Sequence, residues 1–229
     1  HFFDISDPKC QVMSAKSTQH YDGVEMQRTM FLLEDEKLEW PVVIDLYRLN
    51  SDTEHQYDYP IHFRGQLIMT NFDYDANTLV QKPLGDDFGY QHIWNQGNAM
   101  SVETPSVTWL DGNRYYSVTS SCKGAEVIFS RSGANDPNFN LISEPMFIFR
   151  EKGKDYLFAS VIEPHGYFNE AKESSKQARP IIKMVEVIGH NDDASVIKIT
   201  GDNDIDWTVI VNNGKPTSQK QSTKINGKN

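Results

Sequence analysis

At 229 residues, 38% hydrophobic and 24% charged, the chain can bury a full core in one domain or one large two-sheet domain, and its composition is not that of a disordered segment. The formal charge is −10, and the stretch 215–229 holds four lysines and no acid, which leaves −14 on the rest. So acidic a body argues against general binding to nucleic acid or an anionic membrane, while leaving room for a local cationic pocket that takes one acidic sugar or peptide.

No apolar run approaches the roughly 18 to 20 residues of a membrane-spanning helix. The start, HFFDISDPKC, has no initiator Met and no basic-then-apolar secretion signal, which predicts a chain processed or cut from something longer. Cys10 and Cys122 are the only cysteines. They make no zinc motif, and they fit either a disulfide or two separate thiols.

In chain order, a short strand is expected around 11–15. The run VEMQRTMFLLE at 24–34 alternates Val24, Met26, Arg28 and Met30 with Glu25, Gln27 and Thr29, and reads as a strand more than as a helix. A charged turn at 34–39 leads to a strand over 40–49. The stretch 54–74 reads as a long bent strand, with Ile61 and Phe63 on one face and His62 and Arg64 on the other. Within it Pro60 marks a strand start or an edge, and Gly65 marks a bulge or a close backbone approach. Residues 75–101 are irregular. SVTWL and RYYSVTSSC flank Asp111-Gly112-Asn113, a strong hairpin signal, and a strand follows at 125–133. A loop is expected over 134–143, then a second hairpin turning at 152–155. The segment 167–179 is the one helix-friendly piece, three turns at most or a loop. Three closing strands follow 180. The reading is all-β: two packed antiparallel sheets forming a β-sandwich over 1–214, with a polar basic tail at 215–229.

No phosphate-binding Gly loop, GxSxG elbow, HExxH or CxxC pair occurs. His20 and His55 read as exposed loop residues and His190 as part of a turn. Three pairs stand out as candidate substrate-binding residues. His62 and Arg64 share one strand face, and either line a cleft, where they would bind a carboxylate, or form a plain polar surface. Tyr90 and His92, beside Trp94, suit sugar stacking or simply plug the end of the sandwich. Glu163 and His165 sit at the end of an apolar strand, in a binding loop or in an ordinary turn. No spacing supports a metal site, and no cofactor is expected in this chain.

Four stretches carry a resemblance: YDYPIHFRGQLIMTNFDY (57–74), GDDFGYQHIW (85–94), SRSGANDPNFNL (130–141) and SVIEPHGYFN (160–169). In that order they resemble the C-terminal β-sandwich of the heparinase II/III-like polysaccharide lyases, nearest to alginate lyase of polysaccharide lyase family 17. The resemblance implies a larger protein, in which an upstream α-helical toroid and an early sheet segment would be this chain's partners. It implies β-elimination on an acidic, alginate-like polysaccharide or oligosaccharide in a cleft between toroid and sheet, and a secreted or periplasmic location. Family members take Asn, His and Tyr from the toroid and another Tyr from the early sheet, and hold a structural metal through HGHFD-type and AHNT-type segments. Neither segment occurs here. The expectation is therefore that catalytic residues and metal ligands lie upstream, and that this chain is structural and cleft-lining. The alternative is a free-standing carbohydrate-binding or interaction β-sandwich.

Overall fold

The computed structural model describes residues 1–133 and 143–214. Its strands are β1 (Phe2–Asp7), β2 (Cys10–Ser17), β3 (Val24–Leu33), β4 (Val42–His62), β5 (Gln66–Thr70), β6 (Asp75–Ala76), β7 (Lys82–Pro83), β8 (Ile93–Met100), β9 (Ser106–Asp111), β10 (Arg114–Ser120), β11 (Glu126–Ser132), β12 (Glu144–His165), β13 (Tyr167–Asn169), β14 (Ser174–Lys176), β15 (Ile182–His190), β16 (Ala194–Gly201) and β17 (Ile205–Asn212). The first twelve form one sheet, β15–β17 form a second, and β13 pairs β14 in a small ribbon. All strand pairs are antiparallel, as the alternation and turn signals predict.

The axis of the large sheet is the pair β4 and β12. Residues 146–153 of β12 pair with 55–62 of β4, and 155–162 pair with 43–50, so β4 bulges out at 51–54. The other edge of β12 is shared. Its first half pairs β11 and its second half pairs β10, so the sheet divides there into two wings. Phe147 and Phe149 lie in the same core as Phe158, although nine positions separate Phe149 from Phe158. An odd spacing within a period-two strand means that the irregularity at 153–155 has exchanged its faces.

Two cores result. Tyr57, Tyr59 and Ile61 of β4 and Phe63 just beyond it pack with Phe147, Phe149 and Phe158 inside the curved large sheet. On the opposite face Val42, Ile44 and Leu46 of β4 and Leu157, Ala159 and Val161 of β12 meet Ile182, Ile197 and Ile199 of the small sheet. Polar clasps flank this second core. The Arg48 Nη2 donates to Asp192 at 2.8 Å, and Gln27 Nε2 donates to the Asn212 carbonyl at 3.2 Å. Within the large sheet the buried Asp45 carboxylate accepts from Arg28 Nε at 3.0 Å and from the Tyr59 hydroxyl at 2.8 Å.

Several expectations change. The expected hairpin at 152–155 does not form, because MFIF and LFASV are buried on both faces as halves of one central strand. The strands expected at 40–49 and 54–74 are regrouped. β4 runs through both, and a break at 63–65 starts β5. The segment 167–179 forms no helix but the ribbon β13–β14 around a single 3-10 turn, Glu170–Lys172. β1 was not anticipated, and His55 and His190 lie in strands. Pro60 does lie on an edge, because β3 pairs β4 only as far as Ser51. The hairpin at Asp111 forms as read, with Arg114 opposite Asp111. The tail 215–229 and, apart from Ser143, the loop expected over 134–143 lie outside the described residues.

Gly65 shows why sequence spacing matters at the end of β4. Its φ is +87°, and a Cβ there would stand 1.9 Å from the Leu110 carbonyl oxygen. Gly23 has a similar φ of +73° with open space around it. Gly23→Ala should therefore cost about 1 kcal/mol from the backbone alone, and Gly65→Ala about 2 kcal/mol or more, because β5 must move as well. Urea denaturation of both variants checks this, and equal losses would remove the close approach as the reason for glycine at 65.

Candidate functional site

Phe63 is the anchor of the first site. Its N–H donates to the Pro145 carbonyl at 3.1 Å, and its ring packs 5.4 Å from Trp109 and 6.1 Å from Phe147. With Phe63 turned inward, strand alternation turns His62 and Arg64 outward. Both line an open pocket of about 360 Å³ together with Trp109, Asp111, Tyr116 and Glu144. Trp109 and Tyr116 stack with their planes 14° apart and centroids at 5.7 Å. Arg64 and His62 have no hydrogen-bond or ion-pair partner among the described residues, so their donors face solvent. The shared face read from the sequence is thus the wall of a concavity that holds two basic groups, two carboxylates and an aromatic pair.

Tyr90 and His92 are separated by the structure. They lie on one 3-10 turn, Tyr90–His92. At three residues per turn, positions two apart point about 120° away from each other. His92 is exposed, whereas Tyr90 is half-buried. The Tyr90 hydroxyl donates to Asp58, and Asp58 accepts both Nε and Nη2 of Arg150 at 2.8 Å. The same guanidinium lies 5.6 Å from the Tyr90 ring centroid. Burial first, and then the bond to Asp58, push the Tyr90 hydroxyl up to about 12. Tyr90 forms one wall of a second pocket, of about 430 Å³, and His92 is not among its lining residues.

Glu163 and His165 lie on β12 and not in a loop, and both side chains are buried. The Glu163 carboxylate accepts the backbone N–H groups of Ile181 at 2.8 Å and Ile182 at 3.0 Å, tying the large sheet to the start of β15. Burial raises its pKa, and the two backbone bonds oppose that rise. His165 Nδ1 lies 2.7 Å from the Gln177 carbonyl, which can only accept, so Nδ1 carries the proton. Nε2 then accepts the Ser117 hydroxyl at 2.8 Å, and Ser117 Oγ contacts Thr108 Oγ1 at 2.7 Å. The imidazole stacks on Tyr115 at 5.9 Å. Burial lowers its pKa, with Lys183 acting the same way and the Gln177 bond opposing. A serine hydroxyl on an oriented histidine has the hydrogen bonds of a nucleophile and its base. Here, however, Ser117 is 0% exposed and His165 is 3% exposed, so no substrate reaches them. The pair holds the fold together.

Sequence reading missed several pocket residues. Trp109 and Tyr116 of the first pocket belong to the predicted hairpin, whose turn was legible while the face it presents to Arg64 was not. The second pocket adds Tyr21, Tyr47, Tyr57 and Phe88. Only the aromatic-polar group at 89–97 hinted at it. Cys10 and Cys122 are both free thiols, and burial pushes Cys122 up to about 12. Among the described residues no group of three or more His, Cys, Asp or Glu side chains is placed to hold a metal ion, and no helix is long and apolar enough to cross a membrane.

No family model matches the chain. It is 38% identical over 187 residues to an exo-oligoalginate lyase of Saccharophagus degradans, covering 79% of this chain and 25% of that protein. It is 34% identical over 228 residues to an alginate lyase of Stenotrophomonas maltophilia, covering 98% of this chain and 31% of that one. The chain therefore spans between a quarter and a third of the length of these relatives. Among solved structures, heparan sulfate lyase HepC of Pedobacter heparinus has the same fold, with a TM-score of 0.51 at 11% identity over 93% of this chain and 27% of that one. A mutant of the same enzyme gives 0.53 at 14% identity, over 91% of this chain and 27% of that one.

The buried His165 makes stability depend on pH. Its folded pKa lies below the ordinary 6.5, so its contribution is complete above 6.5 and is lost as the pH falls towards the folded value, where only the unfolded chain is protonated. Glu163, raised above 4.5, acts in the opposite sense lower on the scale: in its window the folded state holds the extra proton, and stability increases as the pH falls. Measured by urea denaturation between about pH 7 and about pH 5, His165→Asn should lose less stability on acidification than the wild type. His190, lowered mainly by burial, accounts for a residual slope. An unchanged slope in the variant would mean that His165 is not the group being charged.

Proposed function

We propose that this chain, a relative of alginate lyases in sequence and of a heparan sulfate lyase in fold, is the β-sandwich portion of a lyase that cleaves uronate-containing polysaccharides or oligosaccharides by β-elimination. In this reading the His62/Arg64 pocket forms one wall of the substrate cleft. The observation that carries it is the placement of two unpaired basic groups beside the stacked Trp109 and Tyr116 rings on a body otherwise so acidic.

The chemistry requires such a place. The proton on the carbon beside a uronate carboxylate is too weakly acidic to remove until the carboxylate charge is offset, because its removal puts further negative charge on the same group. A guanidinium fork matches a planar carboxylate with two parallel hydrogen bonds and remains charged at any working pH. Held in place beforehand, it stabilises the enolate-like state more than the ground state. His62 supplies a second donor, and the aromatic pair offers an apolar face to the sugar ring. Arg64 makes no ion pair with Asp111 or Glu144, so a substrate carboxylate would displace water from it and not a protein anion. In this proposal the base, the acid and any structural metal belong to the rest of the protein, the substrate is an alginate-like polymer or its oligomers, and the setting is secreted or periplasmic.

The test uses the ultraviolet absorbance of the unsaturated uronate product. In the full-length protein, Arg64→Ala should lower kcat/KM on oligoalginate about 10- to 100-fold, the loss expected on removing a charge-assisted bond to the substrate carboxylate. The 229-residue chain alone should give no product. Wild-type kinetics in the Arg64 variant would remove the pocket from the cleft, and product from the chain alone would put the catalytic groups within it.

A further inference from the structure

The second pocket differs from the first in its electrostatics and in its strain. Its floor is made of Val24, Leu49, Tyr47 and Tyr57, its walls of Tyr90 and His55, and its rim of Tyr21 and Phe88. At about 430 Å³ it falls in the range of small-molecule sites, roughly 300 to 1,000 Å³. Phe88 is 97% exposed, and its φ of 58° lies in the left-handed region that bulky side chains rarely adopt. A strained backbone that holds an apolar ring in water at the mouth of an aromatic pocket is unfavourable on both counts in the free protein, and a ligand stacked on that ring relieves the second. Tyr90 is the most firmly fixed of the rings, held by the Asp58–Arg150 ion pair behind it.

The polar groups at this pocket narrow the ligand class. The Tyr57 hydroxyl donates to the Lys154 carbonyl and that of Tyr90 to Asp58, so these two act through their ring faces. The Asp22 carboxylate, the Gln56 amide and the Tyr21 hydroxyl line the same pocket and have no hydrogen-bond partner among the described residues. Aromatic faces with free donors and acceptors at their edges match a molecule with an apolar C–H face and a rim of hydroxyls. No Lys or Arg lines this pocket, and both oxygens of Asp58 are already engaged by Arg150. A uronate carboxylate would meet Asp22 here with no Lys or Arg to offset it, and the Nε2 of His55 is already engaged by the Thr53 and Ser51 hydroxyls.

We propose that this pocket is a second saccharide site, specific for neutral pyranosides, with Phe88 and Tyr21 as its stacking platforms and Asp22 and Gln56 as its hydroxyl readers. It does not rest on the lyase reading. Along β4, Gln56 and His62 are six positions apart, about 20 Å of extended strand, so the two pockets are distinct places on one element. The chain then carries one pocket suited to charged sugars and another suited to neutral ones.

Isothermal titration of the full chain with cello- and manno-oligosaccharides, and separately with oligoalginate, tests this. A neutral oligosaccharide should bind, and Phe88→Ala should weaken it about 5- to 10-fold through the lost stacking. Phe88→Asn, a residue that accepts positive φ, should weaken it as much, which assigns the loss to the ring and not to a relaxed backbone. Arg64→Ala should leave this binding unchanged, and oligoalginate should not compete for it. The proposal is overturned if no neutral oligosaccharide binds the folded chain, if the Phe88→Ala/Tyr21→Ala double variant binds as the wild type does, or if oligoalginate competes for the site.

Discussion

The pairing of β4 with β12 is the constraint on which everything else depends. Sixteen paired positions run along it, and each core takes its side chains from one face of this ribbon. Because the register shifts at the middle, the two halves of β12 present opposite parities to the aromatic core. A slip of one residue in either half would turn Phe147 and Phe149, or Phe158, towards the wrong side. The register is held by the side chains themselves. Tyr59 lies 5.2 Å from Phe158 and 6.5 Å from Phe149, so one fully buried ring touches both halves of the partner strand. Its hydroxyl donates to Asp45, also on β4, which Arg28 of β3 neutralises. Removing Arg28 would leave Asp45 buried without its cation, far costlier than losing a surface pair.

That ribbon also explains what the sequence could and could not reveal. Local signals were legible wherever two adjacent strands meet at a tight turn. Asp111-Gly112-Asn113 needs only φ of 58° at Gly112 to close its hairpin. Gly65, read as a bulge or a close approach, is a close approach because a neighbouring carbonyl occupies the space of a Cβ. The polar group Lys152-Gly153-Lys154-Asp155 carries the same letters as a turn yet is a register shift within one strand. The difference lies in the partner: residues 43–62 of β4 span the whole region and offer pairing to both sides of it. Such partnership is non-local and leaves no trace in a window of ten residues. The helix-friendly composition of 167–179 gave way for a related reason. Gly166 is pressed against the carbonyls of Lys176 and Gln177, and the Gln177 carbonyl accepts a hydrogen bond from His165 Nδ1, so the segment 167–177 is drawn into a ribbon.

The candidate residues sort by the same logic. Alternation on a half-buried strand correctly put His62 and Arg64 on one face, and the concavity in front of them comes from a hairpin more than forty residues further on. Glu163 and His165 also share a face, but the small sheet covers that face, which no sequence pattern around them reveals. Their titratable groups therefore serve cohesion. A carboxylate that accepts two backbone N–H groups at the start of β15 satisfies donors that would otherwise be buried unpaired. A neutral imidazole donates one hydrogen bond to the Gln177 carbonyl and receives another from Ser117 of the sheet. Perturbed pKa values accompany catalytic sites, but burial is their main cause here.

In the proposed reading, the two pockets let one acidic chain meet sugars of different charge. A net negative body raises the free energy of any approaching polyanion, but at physiological ionic strength exposed charges are screened beyond about 8 Å. The local set of groups therefore decides. At the first pocket Arg64 and His62 line the same concavity as Trp109, and neither is bound to a carboxylate among the described residues. At the second, Arg150 is near but spent: its fork engages both Asp58 oxygens, and its face lies towards Tyr90. The guanidinium thus fixes a stacking ring and offers no charge to a ligand. In that reading the same residue type serves recognition in one place and scaffolding in the other, and what separates the roles is whether a carboxylate on the adjacent strand has already claimed its donors.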